Sequence, residues 1–303
     1  MKKILIIGGT GFIGKKLIQK LASFKYSIYV ISRHFVKSRY KNIHYIKADL
    51  TNLKSLSRIK KYFRNSYLLI DLASYIPQSS SLKSSDQNLK FFFNINILGK
   101  INLLKVLDNN VKRLIYISTI DVYGDSEGIY TEDSSTNPTS YYGATKLATE
   151  KIYQVYCKQK CLKLTILRLS QVYGAGEPMI KAIPKLIDKI VNKKSISLYG
   201  NGIEKRRFIY IGDVVDAITN LLRSNKVGIY NIAGEEITSI KQLLRTIEKI
   251  LGSKAVIIKK PLNKATHKIM SINKAKKELK FFPKVSMKEG LSKMIKEMYA
   301  DIF

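Results

Sequence analysis

The feature that most limits the folds open to this chain lies at its start. Residues 3–7 form a short apolar run, and Gly8-Gly9-Thr10-Gly11-Phe12-Ile13-Gly14 follows directly, opening an amphipathic stretch over 11–22. A buried strand, a glycine-rich turn and a helix in immediate succession form a unit that needs its glycines for steric reasons. They permit a tight turn, let backbone approach a pyrophosphate, and allow the helix to pack on the strand. The spacing Gly8, Gly11, Gly14 differs by one residue from G-x-G-x-x-G, but the physics is the same, with phosphates at the positive helix end. The turn predicts dinucleotide binding, with Gly8, Thr10, Gly11, Phe12, Ile13 and Gly14 as the cofactor loop.

The rest of the first two-thirds repeats the strand–helix alternation. Strands are expected at 27–31, 43–48, 67–73, 113–118 and 163–169, with helices near 53–62, 88–107 and 142–158. Apolar strands separated by helices imply a parallel sheet covered on both faces, hence an α/β, doubly wound, Rossmann-type fold. Beyond Gly174 the pattern loosens, with helices expected at 180–191, 213–222, 239–251 and 287–299. The expected organisation is an NAD(P)-binding domain from 1–170 plus 205–232, and a smaller substrate-binding region from 171–204 plus 233–303.

Composition narrows the partners. No run approaches the ~18 uncharged residues of a membrane span, and the apolar run at the start is too short for a signal peptide. Cys157 and Cys161 are the only cysteines, with no histidine nearby, so neither a metal site nor a disulfide is expected and a reducing cytoplasm is. Lys plus Arg total 54 against 22 acidic residues, a net charge of +32. The lysines are dispersed rather than gathered into a block, so no nucleic-acid or membrane partner is expected, although the excess would attract a substrate bearing two phosphates.

The second strand ends Val30-Ile31-Ser32-Arg33. A carboxylate there would hold the ribose hydroxyls of NAD, whereas Arg33 suits the extra phosphate of NADP, so NADP(H) is expected over NAD(H). Asp49-Leu50, after the third strand, is a candidate for the adenine edge, with a turn aspartate as the alternative. Tyr142 and Lys146 stand four apart and share a helix face. A free phenol near pKa ~10 is a poor acid or base at neutrality. A neighbouring ammonium stabilises the phenolate and moves it toward working pH, which makes Tyr142 the candidate acid/base and Lys146 its partner and a ribose ligand. Thr119 follows the fifth strand, at the sheet edge where ligands bind in such folds, and offers a hydroxyl to the reacting oxygen.

With these pieces in order, the chain resembles the extended short-chain dehydrogenase/reductases, specifically the NAD-dependent epimerase/dehydratase group that acts on nucleotide sugars. The resemblance is carried by GGTGFIG at 8–14, STIDVYG at 118–124, PTSYYGATKLATE at 138–150, LRLSQVYGAG at 167–176, RRFIYIGDVVDAI at 206–218, YNIAG at 230–234 and SINKAKKEL at 271–279. It implies a Tyr142–Lys146–Thr119 catalytic set, Asn96 beside the cofactor, and Arg206 and Gln171 near the substrate's diphosphate, Gln171 standing where asparagine is usual. Ile120-Asp121 replaces the Asp-Glu pair of dehydratases, which argues against 4,6-dehydration. Thr266-His267-Lys268 lacks the arginine common near that position.

The expected reaction is hydride transfer at C4 of a nucleoside-diphosphate sugar, by an NADPH-dependent 4-keto reductase or alternatively an NAD-dependent 4-epimerase. An NADP-sensing regulator or a nucleic-acid-binding protein is a remote alternative. A homodimer is expected, through the helix carrying Phe91-Phe92-Phe93, whose apolar surface exceeds one face.

Overall fold

A computed structural model describes residues 2–76, 86–125, 127–262 and 266–300. Seven strands form the central sheet: β1 Lys3–Ile7, β2 Ser27–Ser32, β3 Ile43–Lys47, β4 Ser66–Asp71, β5 Arg113–Thr119, β6 Lys163–Leu169 and β7 Gly228–Ile232. Their spatial order is β3-β2-β1-β4-β5-β6-β7, the doubly wound arrangement. The pairs from β3 across to β5 are parallel, Ile4 facing Ile28 on one side and Leu68 on the other, with one register shift between Lys3 and Ile4 on the β4 side. The strand order reverses between β1 and β4, so the carboxyl ends of these strands flank the crevice where such sheets bind ligands.

Helices α1 Phe12–Leu21, α2 Leu53–Arg58, α3 Asp86–Phe92, α4 Gly99–Val106 and α5 Tyr141–Gln159 accompany this sheet. Every residue of β5 is buried, as the apolar reading of that run requires. Leu5, Ile7, Leu69, Leu114 and Tyr116 from the strands join Leu103 of α4 and Tyr153 of α5 in one core.

Two local departures from the sequence reading have physical causes. The stretch expected as one helix over 88–107 is α3 and α4 joined by a wide π turn at Phe93–Leu98, which buries the polar Asn96. An extra residue per turn changes which side chain points inward, and apolar periodicity alone cannot register that shift. The helix expected over 53–62 ends at Arg58, and Lys60–Tyr62 tighten into a 3-10 turn.

The chain divides into two compact units, the first comprising 1–124, 135–168 and 215–230, the second 125–134, 169–214 and 231–303. The second unit has its own core, in which Ile183, Ile187 and Ile190 of helix Ala182–Val191 meet Leu243, Leu244 and Ile247 of helix Ile240–Leu251 and Leu291 and Met294 of helix Met287–Met298. Two of its helices are signalled in the sequence by their caps: Ser239 with Gln242 forms a capping box, and Ser286 caps the last helix at Glu289. Among the described residues, no helix is long and apolar enough to cross a membrane.

Candidate active site

The glycine turn after β1 is built for close approach. Gly8 adopts φ +79°, and a Cβ there would fall 2.6 Å from the Ala73 backbone nitrogen. At Gly14 a Cβ would sit 2.3 Å from the Gly8 carbonyl oxygen, so the first turn of α1 packs directly on the loop. The Gly11 N–H closes that loop on the Gly8 carbonyl at 3.1 Å. No side chain caps the start of α1 and no acidic residue occupies its first turn. Its N-terminal N–H groups and dipole are therefore left for an anion, and these residues fit a dinucleotide pyrophosphate. Thr10 and Gly11 are exposed, and Phe12 and Ile13 are half-buried.

Arg33 is exposed just beyond β2, and residues 32–34 contain no carboxylate. The buried Ser32 hydroxyl accepts from the His34 N–H at 3.3 Å, fixing the bend that follows the strand. Asp49 behaves as a turn residue: its Oδ1 accepts from the Thr51 N–H and the Thr51 hydroxyl, each at 2.9 Å. Leu50 is buried, and its carbonyl accepts from the Asn102 amide at 3.1 Å.

Tyr142 is placed by the start of α5. Ser140 caps that helix by accepting from the Gly143 N–H. Gly143 is needed because a Cβ would lie 2.5 Å from the Asp121 carbonyl oxygen, so the helix presses against the turn that follows β5. That contact sets Tyr142 beside Thr119 and Ser74, whose hydroxyls favour the phenolate form. Thr119 donates to Asp121 Oδ2 at 3.1 Å and accepts from the Asp121 N–H at 3.2 Å. Burial, then the Asp121 charge, push the Tyr142 phenol well above its ordinary value, while the two hydroxyls pull it down.

Lys146, one helical turn further on, is buried; its amine donates to the Ile117 carbonyl and lies 4.1 Å from the centre of the Tyr116 ring. Burial and the nearby Lys100 cation hold it down at about 7, against Asp71 and Glu150. Tyr142 and Lys146 stand one turn apart on α5, but the hydroxyls that act on the Tyr142 phenol are those of Thr119 and Ser74, and the Lys146 amine is engaged on the strand below.

Beneath this lies a polar layer that the sequence did not disclose. Asp71, at the end of β4, is fully buried, and so is Lys100, whose amine reaches Asp71 Oδ1 at 2.7 Å and the Ala73 carbonyl at 2.6 Å. The Tyr153 hydroxyl donates to Asp71 Oδ2 at 2.7 Å, and Asp71 Oδ1 accepts from the Ala73 N–H at 3.0 Å. Asn96, aimed inward by the π turn, accepts from the Tyr75 N–H at 2.7 Å and the Ser74 hydroxyl at 3.1 Å, and donates to the Thr145 hydroxyl at 3.1 Å. Glu150 binds the Arg168 guanidinium in a fork and accepts from the Ser118 hydroxyl, so Ser118 is a structural member of this layer.

The two substrate candidates lie in the second unit. Gln171 is exposed and pairs with Phe208 between the strands Gln171–Tyr173 and Phe208–Tyr210. Arg206 donates to the Thr266 and Lys205 carbonyls and lies 3.6 Å from Glu204. Thr266-His267-Lys268 therefore serves as this arginine's neighbour, His267 Nδ1 accepting from the Lys205 N–H at 3.1 Å. Among the described residues no group of three or more His, Cys, Asp or Glu is placed to hold a metal ion.

Known proteins are similar to this chain across nearly its whole length. An uncharacterised UDP-glucose epimerase of Bacillus subtilis is 30% identical over 311 residues, covering 97% of this chain and 96% of the relative. A dTDP-4-dehydro-6-deoxyglucose reductase of Escherichia coli is 32% identical over 315 residues, covering 97% of each. The structure of UDP-glucuronic acid 4-epimerase from Bacillus cereus, in complex with UDP-glucuronic acid and NAD, superposes with a TM-score of 0.87 at 27% identity, covering 98% of this chain and 99% of that one. Residues 4–233 match the sequence profile of the NAD dependent epimerase/dehydratase family, and with the glycine turn, the placing of Tyr142 beside Thr119 and the strand order already described, this chain belongs to that family of nucleotide-sugar enzymes.

Proposed function

We propose that this enzyme acts at C4 of a nucleoside-diphosphate sugar as a 4-keto reductase drawing on NADPH. The observation that carries the reading is the buried Tyr142 hydroxyl beside Thr119 and Ser74, held protonated at neutral pH by burial and Asp121. A protonated phenol is the acid that a ketone reduction needs. A nicotinamide cofactor held at the glycine turn would supply the hydride. Tyr142 gives its proton to the C4 oxygen, Thr119 orients that oxygen, and Lys146, near neutrality, serves the ribose and the charge balance around the phenolate. Gly8, Gly11, Gly14 and the start of α1 hold the pyrophosphate, and Arg33 takes the 2′-phosphate in place of the missing carboxylate. Arg206 and Gln171 are assigned to the substrate's diphosphate, the guanidinium fork matching phosphate oxygens. Ile120, buried after Thr119, supplies no acid for dehydration. The Escherichia coli relative, named a reductase, agrees with this reading.

The second reading, a 4-epimerase that retains NAD, is supported by the Bacillus cereus complex. Denaturing the purified protein and identifying the released nucleotide separates them. Near-stoichiometric NAD supports the epimerase, while an empty protein that binds NADPH far more tightly than NADH supports the reductase. In either case Tyr142→Phe lowers turnover by about 100- to 10,000-fold with cofactor binding intact, and full activity of that variant rejects the assignment. A homodimer belongs to the same reading, through the face that leaves Phe91 and Phe93 each 52% exposed beside the buried Phe92; light scattering at two concentrations checks it.

A further inference from the structure

We propose that Glu204 is a positioning residue that sets how tightly the substrate's diphosphate is held, its carboxylate standing on the phosphate-binding edge of Arg206. The inference rests on the reading of Arg206 as a diphosphate ligand and adds to it the group that competes for that arginine.

The short strand Lys205–Arg206 lies between Thr238–Ser239 and Lys268–Met270, so its backbone is paired on both sides. Lys205 is held further at both backbone groups: its N–H donates to His267 Nδ1 at 3.1 Å, and its carbonyl accepts from Arg206 Nη1 at 2.9 Å. Nη1 also donates to the Thr266 carbonyl. These two bonds fix the guanidinium by one corner, independently of Glu204. Among the described residues, neither Nε nor Nη2 of Arg206 carries a hydrogen bond. Together they form one edge of the fork, able to grip a phosphate by two parallel bonds.

Glu204 Oε1 lies 3.6 Å from Nη2, an ion pair beyond hydrogen-bond reach. The same oxygen accepts from the Thr266 N–H at 3.4 Å and the Thr266 hydroxyl at 3.3 Å, so Thr266 keeps the carboxylate in place. Both side chains retain exposure, 13% for Arg206 and 24% for Glu204, so the pair is open to solvent. A carboxylate here offsets part of the arginine's charge and repels a phosphate oxygen arriving at the same edge. The net charge of +32 draws anions from a distance, but salt screens that pull beyond about 8 Å, whereas Glu204 acts at contact. A strongly cationic chain can thus still release a diphosphate.

The test is isothermal titration of the full-length protein with UDP and, in parallel, dTDP at one fixed salt concentration, read on whichever binds more tightly. Glu204→Gln keeps an oxygen for Thr266 and removes the charge; it is expected to tighten binding about fivefold, the size of a partly exposed charge pair. Damage to the structure does not produce a gain of affinity, so this readout separates the role from a merely structural one. Glu204→Ala removes the same charge and stands in if Glu204→Gln does not fold. Arg206→Gln is expected to weaken binding by about 10- to 100-fold, and in that background Glu204→Gln should have no further effect. If Arg206→Gln weakens binding while Glu204→Gln leaves it unchanged or weaker, the role of Glu204 alone is overturned. An Arg206→Gln variant that binds as the native protein does overturns the reading of Arg206, and this inference with it.

Discussion

Replacing Lys146 with methionine isolates the thermodynamic effect of one proton. The buried amine is held down to about 7, by burial first and by Lys100 second, against the raising effects of Asp71 and Glu150. In the unfolded chain it returns to the ordinary lysine value of ~10.4. Between these values the unfolded chain binds more protons than the folded one, so stability rises with pH across that window. Below about 7 both states carry the proton and the penalty of burying the cation is at its full value. Each pH unit inside the window relieves about 1.36 kcal/mol of it. From pH 6 to pH 9 the stability of the native protein relative to Lys146→Met should grow by roughly 3 kcal/mol. Urea unfolding of both proteins at pH 6, 7, 8 and 9 measures this directly. A difference that stays flat across that range means that the folded protein keeps an ordinary ammonium at this position. Asp71 and Glu150 would then outweigh burial and Lys100, the reverse of the balance inferred for this amine.

Three further substitutions probe the same geometry. Gly143→Ala places a methyl 2.5 Å from the Asp121 carbonyl oxygen; the overpacking should cost about 1–3 kcal/mol and lower kcat by parting Tyr142 from Thr119, read by thermal melting and initial rates. Lys100→Met leaves Asp71 buried without its cation, at a cost of about 3–5 kcal/mol, and the double variant with Asp71→Leu should recover most of it. A single variant that melts with the native protein would show that the pair is not formed. Arg33→Ser is expected to weaken NADPH binding by about 10- to 100-fold through loss of a charged hydrogen bond, leaving NADH unaffected; fluorescence titration with both cofactors decides it.

What could be read from the sequence follows from which forces act locally. The glycine turn and β1 to β6 announce themselves because strand period, glycine sterics and helix onset coincide over a few residues. Tyr142, Lys146 and Thr119 could be singled out because their spacing and their place after a strand carry meaning of their own. Asp71 and Lys100 could not: 29 residues apart, each resembles an ordinary surface charge, and only the fold closes them into a pair at 2.7 Å with neither side chain exposed. Ser74 was hidden for a similar reason, since a serine after a strand normally signals a turn. Its effect on Tyr142 arises only once α5 has packed, through Gly143, on the turn after β5. Asp49, read in the sequence as either a candidate for the adenine edge or a turn aspartate, uses its Oδ1 in closing its own turn.

The wide turn at Phe93–Leu98 also decides how this chain tolerates changes of length. A π turn stores one residue beyond what a regular helix would use. Deleting a single residue there would let α3 and α4 fuse into an unbroken helix with better hydrogen bonding. The fusion would rotate everything before it by about 100° relative to α4. Phe92 would leave the core and the Asn96 amide would swing off Tyr75 and Ser74. Stability gained along the helix would thus be lost at the site, so in this segment chain length is as strictly constrained as residue identity. The fold of the single chain should absorb point substitutions at the exposed Phe91 or Phe93 far more easily than the loss of any one position between them and Gly99.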